Sequence, residues 1–136
     1  MNKHDNKNVV ATFKGGLLKL VTEKKHLPNG HITNVEIIQH PGAVLIVPFL
    51  GIDRIILLRQ FRPVLNAYLY ELPAGTLNSN ESLLQCARRE LIEETGYSAQ
   101  KWLKVGKIFP VPGYSTEIIT IFKAQSLQSL PDEFPR

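Results

Sequence analysis

The sequence contains one cysteine, Cys86, among 136 residues. A single cysteine excludes an intrachain disulfide and a cysteine-rich zinc site, and we interpret Cys86 as a small packing residue. Long apolar stretches are also lacking, because the longest, residues 42–52, is far shorter than the ~20 residues that span a bilayer. The polar start, MNKHDNKN, lacks the apolar centre of a signal peptide. These absences predict a soluble cytoplasmic protein without a membrane partner.

No strong excess of one charge marks the chain. Its 16 basic and 12 acidic residues give a net charge of +4, and the basic residues are scattered through the sequence. Neither a basic stripe nor a motif of stacking aromatic residues is present, so the sequence argues against a nucleic-acid partner. The modest positive charge suits a small anionic substrate. The length and the 43% hydrophobic content fit one globular domain.

Short apolar runs separated by glycine and proline turns predict a mostly β chain with one helix, which is an α+β domain. Residues 1–8 are expected to form a flexible tail, and residues 9–40 a small antiparallel sheet. Because so small a sheet is not stable alone, it packs on the rest of the chain or exchanges with a second copy. The main part of the domain is residues 41–136, in which the runs 43–49 and 54–61 predict two buried strands.

The stretch from Gly75 to Tyr97 predicts a loop, a helix and a second loop. Ser79 or Asn80 is the expected N-cap of the helix. Gly96 is expected to end it in the left-handed conformation, which glycine adopts without strain. One face of the helix carries an apolar stripe that packs on the core, formed by Leu84, Ala87 and Leu91.

Three carboxylates lie beside that stripe. Glu90, Glu93 and Glu94 have the spacing i, i+3 and i+4, so they share one helix face. Like charges so placed repel, and the cluster therefore faces water, pairs with cations or holds a metal ion. Oxygen ligands on a rigid helix suit a hard cation such as Mg²⁺ or Mn²⁺. The carboxylates alone leave a solvated acidic face and a metal site open as alternatives.

The spacing of the whole stretch is more specific than its carboxylates, because nine positions agree with one pattern over 23 residues. The pattern resembles the Nudix box, the signature of hydrolases that cleave nucleoside diphosphates linked to another moiety. The matching residues are Gly75, Glu81, Arg89, Glu90, Leu91, Glu93, Glu94, Gly96 and Tyr97.

The resemblance implies the Nudix fold, a mixed β-sheet sandwiched between helices, with residues 41–136 as the catalytic domain. A second helix usually follows the last strand in this family, whereas this sequence ends in PDEFPR, residues 131–136. We therefore expect the carboxy-terminal helix to be missing. The resemblance also implies a homodimer, in which the sheet of residues 9–40 is the part expected to be swapped.

Three segments outside the box are similar to the ADP-ribose pyrophosphatase branch of the family, namely residues 58–62, 71–75 and 112–117. The similarity implies Mg²⁺-dependent hydrolysis of ADP-ribose to AMP and ribose 5-phosphate. Another nucleoside diphosphate sugar, such as GDP-mannose, is the alternative substrate. A non-catalytic module that binds a nucleotide sugar is the alternative class, although such modules are expected to lose box carboxylates and this chain retains all four.

The candidate metal ligands lie within and just before the box. Glu90 and Glu94, four residues apart on one helix face, are predicted to bind the ion directly. Glu93 is the predicted third member, acting through a second metal ion or through water. The resemblance adds the backbone carbonyl of Ala74 to this set.

The catalytic candidates of the box are Glu81, Arg89 and Glu93. Arg89 follows Glu81 by about two helical turns, so the two side chains can meet and orient the ligand carboxylates. Arg89 also stands four residues before Glu93 and can pair with that residue instead. Glu81 can in addition reach a metal ion through water.

Four candidates lie outside the box. Arg62 is predicted to bind the diphosphate, because a guanidinium engages phosphate oxygens in a bidentate manner. Arg59 is a weaker candidate, which either binds the same substrate or only covers the end of the strand. Glu71 is either structural or binds substrate across a subunit interface. Glu117 follows the Pro112-Gly113 loop, which can close over substrate, and is the candidate general base. A box glutamate is the alternative base.

Overall fold

The computed structural model describes residues 9–131. The tail predicted at residues 1–8 lies outside this range, as do residues 132–136, on which the prediction of a missing carboxy-terminal helix partly depends. The described residues form nine strands and one helix, in the order β1 (Val9–Lys14), β2 (Lys19–His26), β3 (Ile32–Gln39), β4 (Ala43–Pro48), β5 (Leu58–Arg62), β6 (Ala67–Glu71), β7 (Ala74–Thr76), α1 (Leu83–Thr95), β8 (Tyr97–Ile108) and β9 (Ile119–Ser129).

The described chain divides into two compact units. The first contains residues 9–41 together with residues 109–118, and the second contains residues 42–108 together with residues 119–131. The segment that carries the candidate base therefore clusters with the amino-terminal strands. The predicted domain boundary after residue 40 stays a prediction.

The first unit is a three-stranded antiparallel sheet in the order β1-β2-β3, which confirms the predicted amino-terminal sheet. A tight turn joins β2 to β3, with the Leu27 N–H donating to the His31 carbonyl at 2.8 Å. Gly30 adopts a φ of 86° in this turn, a conformation that favours glycine. The edge of β3 is extended by residues 114–116, because Ile38 forms a parallel bridge with Ser115.

The second unit is built on a four-stranded sheet in the order β7-β4-β9-β8. β4 is parallel to β9 and antiparallel to β7, so the predicted mixed sheet is confirmed. α1 packs against this sheet and the two share a hydrophobic core. Its buried members are Val44, Ile46, Cys86, Ala87, Leu91, Phe122 and Ala124, so Cys86 is a packing residue as predicted.

The prediction of a second buried strand at residues 54–61 is wrong. β5 begins only at Leu58 and pairs with β6 in a separate two-stranded sheet. Ile55 and Leu57 are 43% and 48% exposed. An apolar run indicates burial only where its strand joins a covered sheet, and this hairpin does not join the four-stranded sheet.

Helix α1 positions the carboxylates. Its N-cap is Ser82, where a capping box pairs the Ser82 side chain with the Gln85 N–H and the Gln85 side chain with the Ser82 N–H. The predicted caps, Ser79 and Asn80, are wrong because the chain is still turning there, and Asn80 has a φ of 61°. Gly96 ends the helix at a φ of 73°, as predicted. No helix among residues 9–131 is long and apolar enough to cross a membrane.

Candidate active site

Arg89 is the centre of the carboxylate face on α1. Its Nε and Nη2 donate to the two carboxylate oxygens of Glu81 at 2.7 and 3.1 Å. Its Nη1 donates to Glu90 at 2.6 Å and to Glu93 at 3.2 Å. Nη2 also donates to the carbonyl oxygen of Thr76 at 3.3 Å, which ties α1 to β7. The two pairings that the sequence left open for Arg89, with Glu81 and with Glu93, are thus both present.

The Arg89–Glu81 pair is strongly ionic. The hydrogen bond from Arg89 lowers the pKa of Glu81 to about 2, against the opposing effect of burial. The backbone N–H of Asn78, 3.0 Å from the Glu81 carboxylate, acts in the same direction as Arg89. The Glu81 carboxylate, followed by that of Glu90, raises the pKa of Arg89. A paired charge of this kind holds the guanidinium in one orientation.

Glu94 lies in a different environment from Glu81. Burial raises the pKa of Glu94 to about 7, and its hydrogen bond with Glu90 and the charge of Glu90 act in the same direction. The Ala74 N–H, 3.3 Å from Oε1, and the charge of Arg62 oppose this rise. Two adjoining carboxyl groups resist ionising together. Glu90 and Glu94 therefore form the close carboxyl pair that their spacing predicts.

Gly75 lies directly against the Glu90 side chain. A Cβ atom on Gly75 would overlap the Cγ, Cδ and Oε1 atoms of Glu90. Gly75 does not have a positive φ, so its backbone conformation does not demand glycine. The close approach of β7 to the Glu90 carboxylate is what requires glycine at this box position.

The donor set fits a hard divalent cation. Among residues 9–131, no three histidine, cysteine or acidic side chains converge as a ready-made metal centre, and Arg89 engages most of the box glutamates. Glu90 and Glu94 nevertheless adjoin closely enough for one to raise the pKa of the other. A bound cation relieves that repulsion, and all-oxygen donors suit Mg²⁺ and Mn²⁺.

Arg62 in β5 is held by Glu71 in β6. The Arg62 Nε lies 2.9 and 3.0 Å from the two Glu71 oxygens, and Nη2 lies 2.8 Å from Oε2. The hydrogen bond to Glu71 raises the pKa of Arg62, and the charge of Glu94 adds to this effect. Arg62 therefore lies close enough to the carboxylate face for its pKa to respond to the charge of Glu94. Arg59 is placed differently, with its guanidinium 3.9 Å from the centre of the Tyr68 ring.

Glu117 belongs to the first unit, where its carboxylate faces His40. The His40 Nε2 lies 3.8 Å from the Glu117 Oε1. The Glu117 N–H donates to the Ser115 Oγ at 3.1 Å. The His40 N–H donates to the Thr116 Oγ1 at 3.0 Å. The segment that carries the candidate base is therefore held beside the residue that follows β3.

Two of these contacts were not predicted from the sequence. His40 is marked in the sequence only by the break at Pro41-Gly42, and its distance along the chain from Glu117 hides the contact. The stacking of Arg59 on Tyr68 depends on the β5–β6 register, in which these residues are not directly opposite one another. Cross-strand pairing of this kind becomes visible only when the hairpin is known.

Comparison with known proteins gives the family. Residues 39–134 match the NUDIX domain, which is more than half of the chain, so this chain belongs to the Nudix hydrolase family. Members of this family generally use a divalent metal ion.

Individual relatives agree with this assignment. ADP-ribose pyrophosphatase of Bacillus subtilis is 39% identical over 121 residues, which are 89% of this chain and 65% of that protein. Methanol dehydrogenase activator of Bacillus methanolicus is 36% identical over 115 residues, or 85% of this chain and 62% of that protein. This chain thus spans less than two thirds of the length of these curated relatives.

A solved structure also matches. The crystal structure of an ADP compounds hydrolase has a TM-score of 0.75 and 26% sequence identity with this chain, covering 94% of this chain and 72% of the other. The Nudix fold predicted from the box is therefore confirmed.

Proposed function

We propose that this chain hydrolyses the diphosphate of ADP-ribose to AMP and ribose 5-phosphate, with Mg²⁺ as its cofactor and Mn²⁺ as a substitute. The observation that carries the proposal is the close carboxyl pair of Glu90 and Glu94 with the Arg62 charge beside it. This arrangement combines donors for a cation with a guanidinium for a phosphate group. The 39% identity to an ADP-ribose pyrophosphatase supports the choice of substrate.

Glu90 and Glu94 are the direct metal ligands in this proposal, and the Ala74 carbonyl and Glu93 complete the set. When bound, the ion neutralises charge on the diphosphate and lowers the pKa of a bound water. The Ala74 N–H, 3.3 Å from the Glu94 Oε1, restrains that carboxyl group. Gly75 leaves the space that the Glu90 carboxylate occupies.

Arg89 positions two of these ligands. It donates to Glu90 at 2.6 Å and to Glu93 at 3.2 Å, so both carboxylates are held before any substrate arrives. Glu81 in turn holds Arg89 through two hydrogen bonds. Partners that orient ligands in this way commonly affect metal affinity and activity by about 10- to 100-fold.

Arg62 binds the diphosphate in this proposal, and Glu71 orients it. A guanidinium already fixed by a carboxylate loses less rotational freedom when it binds phosphate oxygens. Glu71 is 24% exposed and Arg62 is 46% exposed, so Arg62 can be reached by a ligand from solvent. Arg59, held over Tyr68, is the second substrate-binding candidate.

Glu117 acts as the general base. The oxygen of the attacking water forms a bond to one phosphorus, the bond between that phosphorus and the bridging oxygen breaks, and Glu117 accepts the proton of the water. The Glu117 side chain is 25% exposed, which leaves it open to water. Glu93, at 52% exposure, is the alternative base within the box.

A homodimer and a cytoplasmic location complete the proposal. An apolar groove of about 490 Å³ opens on the first unit, and its lining includes Phe13 and Leu17, which are 69% and 60% exposed. Exposed apolar surface of this kind favours burial against a second copy. Light scattering after size-exclusion chromatography should give twice the chain mass of 15.3 kDa, whereas 15.3 kDa would contradict the dimer. The free, buried Cys86 suits a reducing compartment.

A substrate panel tests the reaction. The chain is incubated with Mg²⁺ and ADP-ribose, GDP-mannose or ADP-glucose, and the products are separated by ion-exchange chromatography. Release of AMP and ribose 5-phosphate from ADP-ribose in preference to cleavage of the other two supports the proposal. Preferred cleavage of GDP-mannose keeps the chemistry and changes the substrate. Binding of ADP-ribose without cleavage indicates a binding module instead of an enzyme.

A further inference from the structure

We infer that His40 is a positioning residue for this reaction and acts by orienting the Glu117 carboxylate. The inference rests on the proposed function, in which Glu117 is the general base, and adds to it a residue outside the box. The His40 Nε2 lies 3.8 Å from the Glu117 Oε1, and the two side chains are 10% and 25% exposed. The imidazole is thus nearly buried, while the carboxylate beside it stays open to water.

Backbone hydrogen bonds hold the two residues side by side. The Ile38 N–H donates to the Tyr114 carbonyl at 2.7 Å, and the Thr116 N–H donates to the Ile38 carbonyl at 3.0 Å. Just after β3, the His40 N–H donates to the Thr116 Oγ1 at 3.0 Å. The same Thr116 hydroxyl lies 3.5 Å from the His40 carbonyl oxygen. These bonds align residues 38–40 with residues 114–116, and none of them involves the His40 imidazole.

The imidazole supplies a restraint that the backbone does not. A glutamate side chain has three rotatable bonds, so an anchored backbone leaves the position of its carboxylate open. The Glu117 N–H is directed to the Ser115 Oγ, which fixes the backbone and not the carboxylate. The imidazole contact at the Oε1 end therefore limits where the carboxylate rests.

The distance between His40 and Glu117 leaves the Glu117 carboxylate free to accept a proton as the general base. A separation of 3.8 Å is within ion-pair range and longer than a hydrogen bond. At this distance His40 restricts the carboxylate without occupying the oxygen lone pair that receives the proton of the water. Loss of the imidazole should consequently reduce the fraction of time that Glu117 spends in the reactive position.

The test changes the His40 side chain and leaves the backbone hydrogen bonds of this residue in place. Every replacement except proline keeps the N–H that donates to Thr116. The kcat and KM for ADP-ribose with Mg²⁺ are measured for His40→Ala and His40→Gln, each in the wild-type and the Glu117→Gln background. The exposed His31 in the same unit provides the matched control, His31→Gln.

We expect His40→Ala to lower kcat about tenfold and to change KM less than about twofold, a fraction of the roughly 10²- to 10⁴-fold effect of a general base. His40→Gln keeps a polar side chain beside the Glu117 carboxylate and should recover part of the loss. In the Glu117→Gln background His40→Ala should change kcat by less than about twofold, because residues that act through one another are not additive. His31→Gln should match the wild type.

Three outcomes would contradict the role of His40, and they exclude different parts of the proposal. A wild-type chain that does not cleave ADP-ribose overturns the proposed function and this inference with it. A hydrolase whose kcat is unchanged by both His40 replacements overturns the role of His40 alone. An equal loss in both backgrounds also overturns it, because the effect would then be independent of Glu117.

Discussion

Gly75 and Glu90 approach each other so closely that a Cβ atom on Gly75 would overlap the Glu90 carboxyl group. Gly75 pairs with Val44 in the sheet, so β7 has little freedom to retreat. On the other side, α1 is fixed by Cys86 and Ala87, both fully buried in the core. The box glycine therefore sets the position of a candidate metal ligand.

The first prediction concerns this contact. Gly75→Ala should displace the Glu90 carboxylate, because the new methyl group takes its place. We expect the affinity for Mn²⁺, measured by isothermal titration calorimetry, to fall about tenfold or more, as for changes in the groups that orient metal ligands. Gly16→Ala is the matched control, since a Cβ there meets nothing within 4 Å. Equal Mn²⁺ affinity in both variants and the wild type would contradict this role of Gly75.

The second prediction concerns stability at low pH. Because Arg89 lowers the pKa of Glu81 to about 2, the pair contributes stability above the ordinary pKa of about 4.5, and this contribution is lost as the pH falls through about 2. Glu81→Gln should cost about 1–3 kcal/mol at pH 7, because Arg89 loses its bidentate partner.

Urea unfolding without metal ions, between pH 7 and pH 2.5, measures this effect. The difference between the wild type and Glu81→Gln should shrink below pH 4.5, because the Glu81 carboxylate becomes protonated in the unfolded wild-type chain while it stays ionised in the folded one. The exposed Glu36 supplies a control, Glu36→Gln, for which we expect a change of less than about 0.5 kcal/mol. A difference that stays constant with pH would show that the ion pair does not stabilise the fold.

The third prediction concerns magnesium and pH. The pKa of Glu94 is raised to about 7, so the stability that protonated Glu94 contributes is complete below about 4.5 and is lost as the pH rises through 7. Magnesium binds the deprotonated carboxyl pair. The rise in Tm on adding Mg²⁺ should therefore be larger at pH 8 than at pH 5.5, by roughly 5 °C at saturating Mg²⁺.

Thermal melts at the two pH values, with Mg²⁺ and with EDTA, test this directly. Glu94→Gln should show a small rise in Tm at both pH values, because its side chain does not ionise. An equal rise at pH 5.5 and pH 8 in the wild type would indicate that Mg²⁺ binds elsewhere.

The fourth prediction concerns the diphosphate. Arg62→Lys keeps the charge but removes the guanidinium fork, so KM for ADP-ribose should rise about tenfold while kcat changes less. Glu71→Gln should also raise the KM for ADP-ribose, because it weakens the three contacts by which the Glu71 carboxylate orients the Arg62 guanidinium. Arg88→Lys, on the exposed side of α1, should leave KM unchanged. A KM unaffected by Arg62→Lys would exclude this residue from the substrate site.

Much of this architecture could be predicted because its determinants are local. The helix end at Gly96 follows from left-handed glycine, and the shared face of Glu90 and Glu94 follows from helical spacing. The predicted N-cap at Ser79 or Asn80 is too early in the chain, because Ser82 is a third capping residue nearby and its capping box with Gln85 favours it.

The remaining features depend on contacts between distant segments. The overlap at Gly75 requires the packing of α1 on β7, and the contact between His40 and Glu117 requires the bridge from β3 to residues 114–116. The prediction of a buried strand at residues 54–61 is wrong because hydrophobicity is the only local signal there, and the pairing of β5 with β6 in a separate sheet leaves no such signal. Which sheet a strand joins is not encoded in its own composition.

We propose that the carboxyl pair of Glu90 and Glu94 supports metal-dependent cleavage of ADP-ribose. The most direct measurement is the rate of AMP release from ADP-ribose, with Mg²⁺ and with EDTA, by the wild type and Glu94→Gln. We predict release that requires Mg²⁺ and falls at least about 10²-fold in Glu94→Gln, which remains folded. AMP release by Glu94→Gln at the wild-type rate, or no release by a folded wild-type chain, would contradict the account.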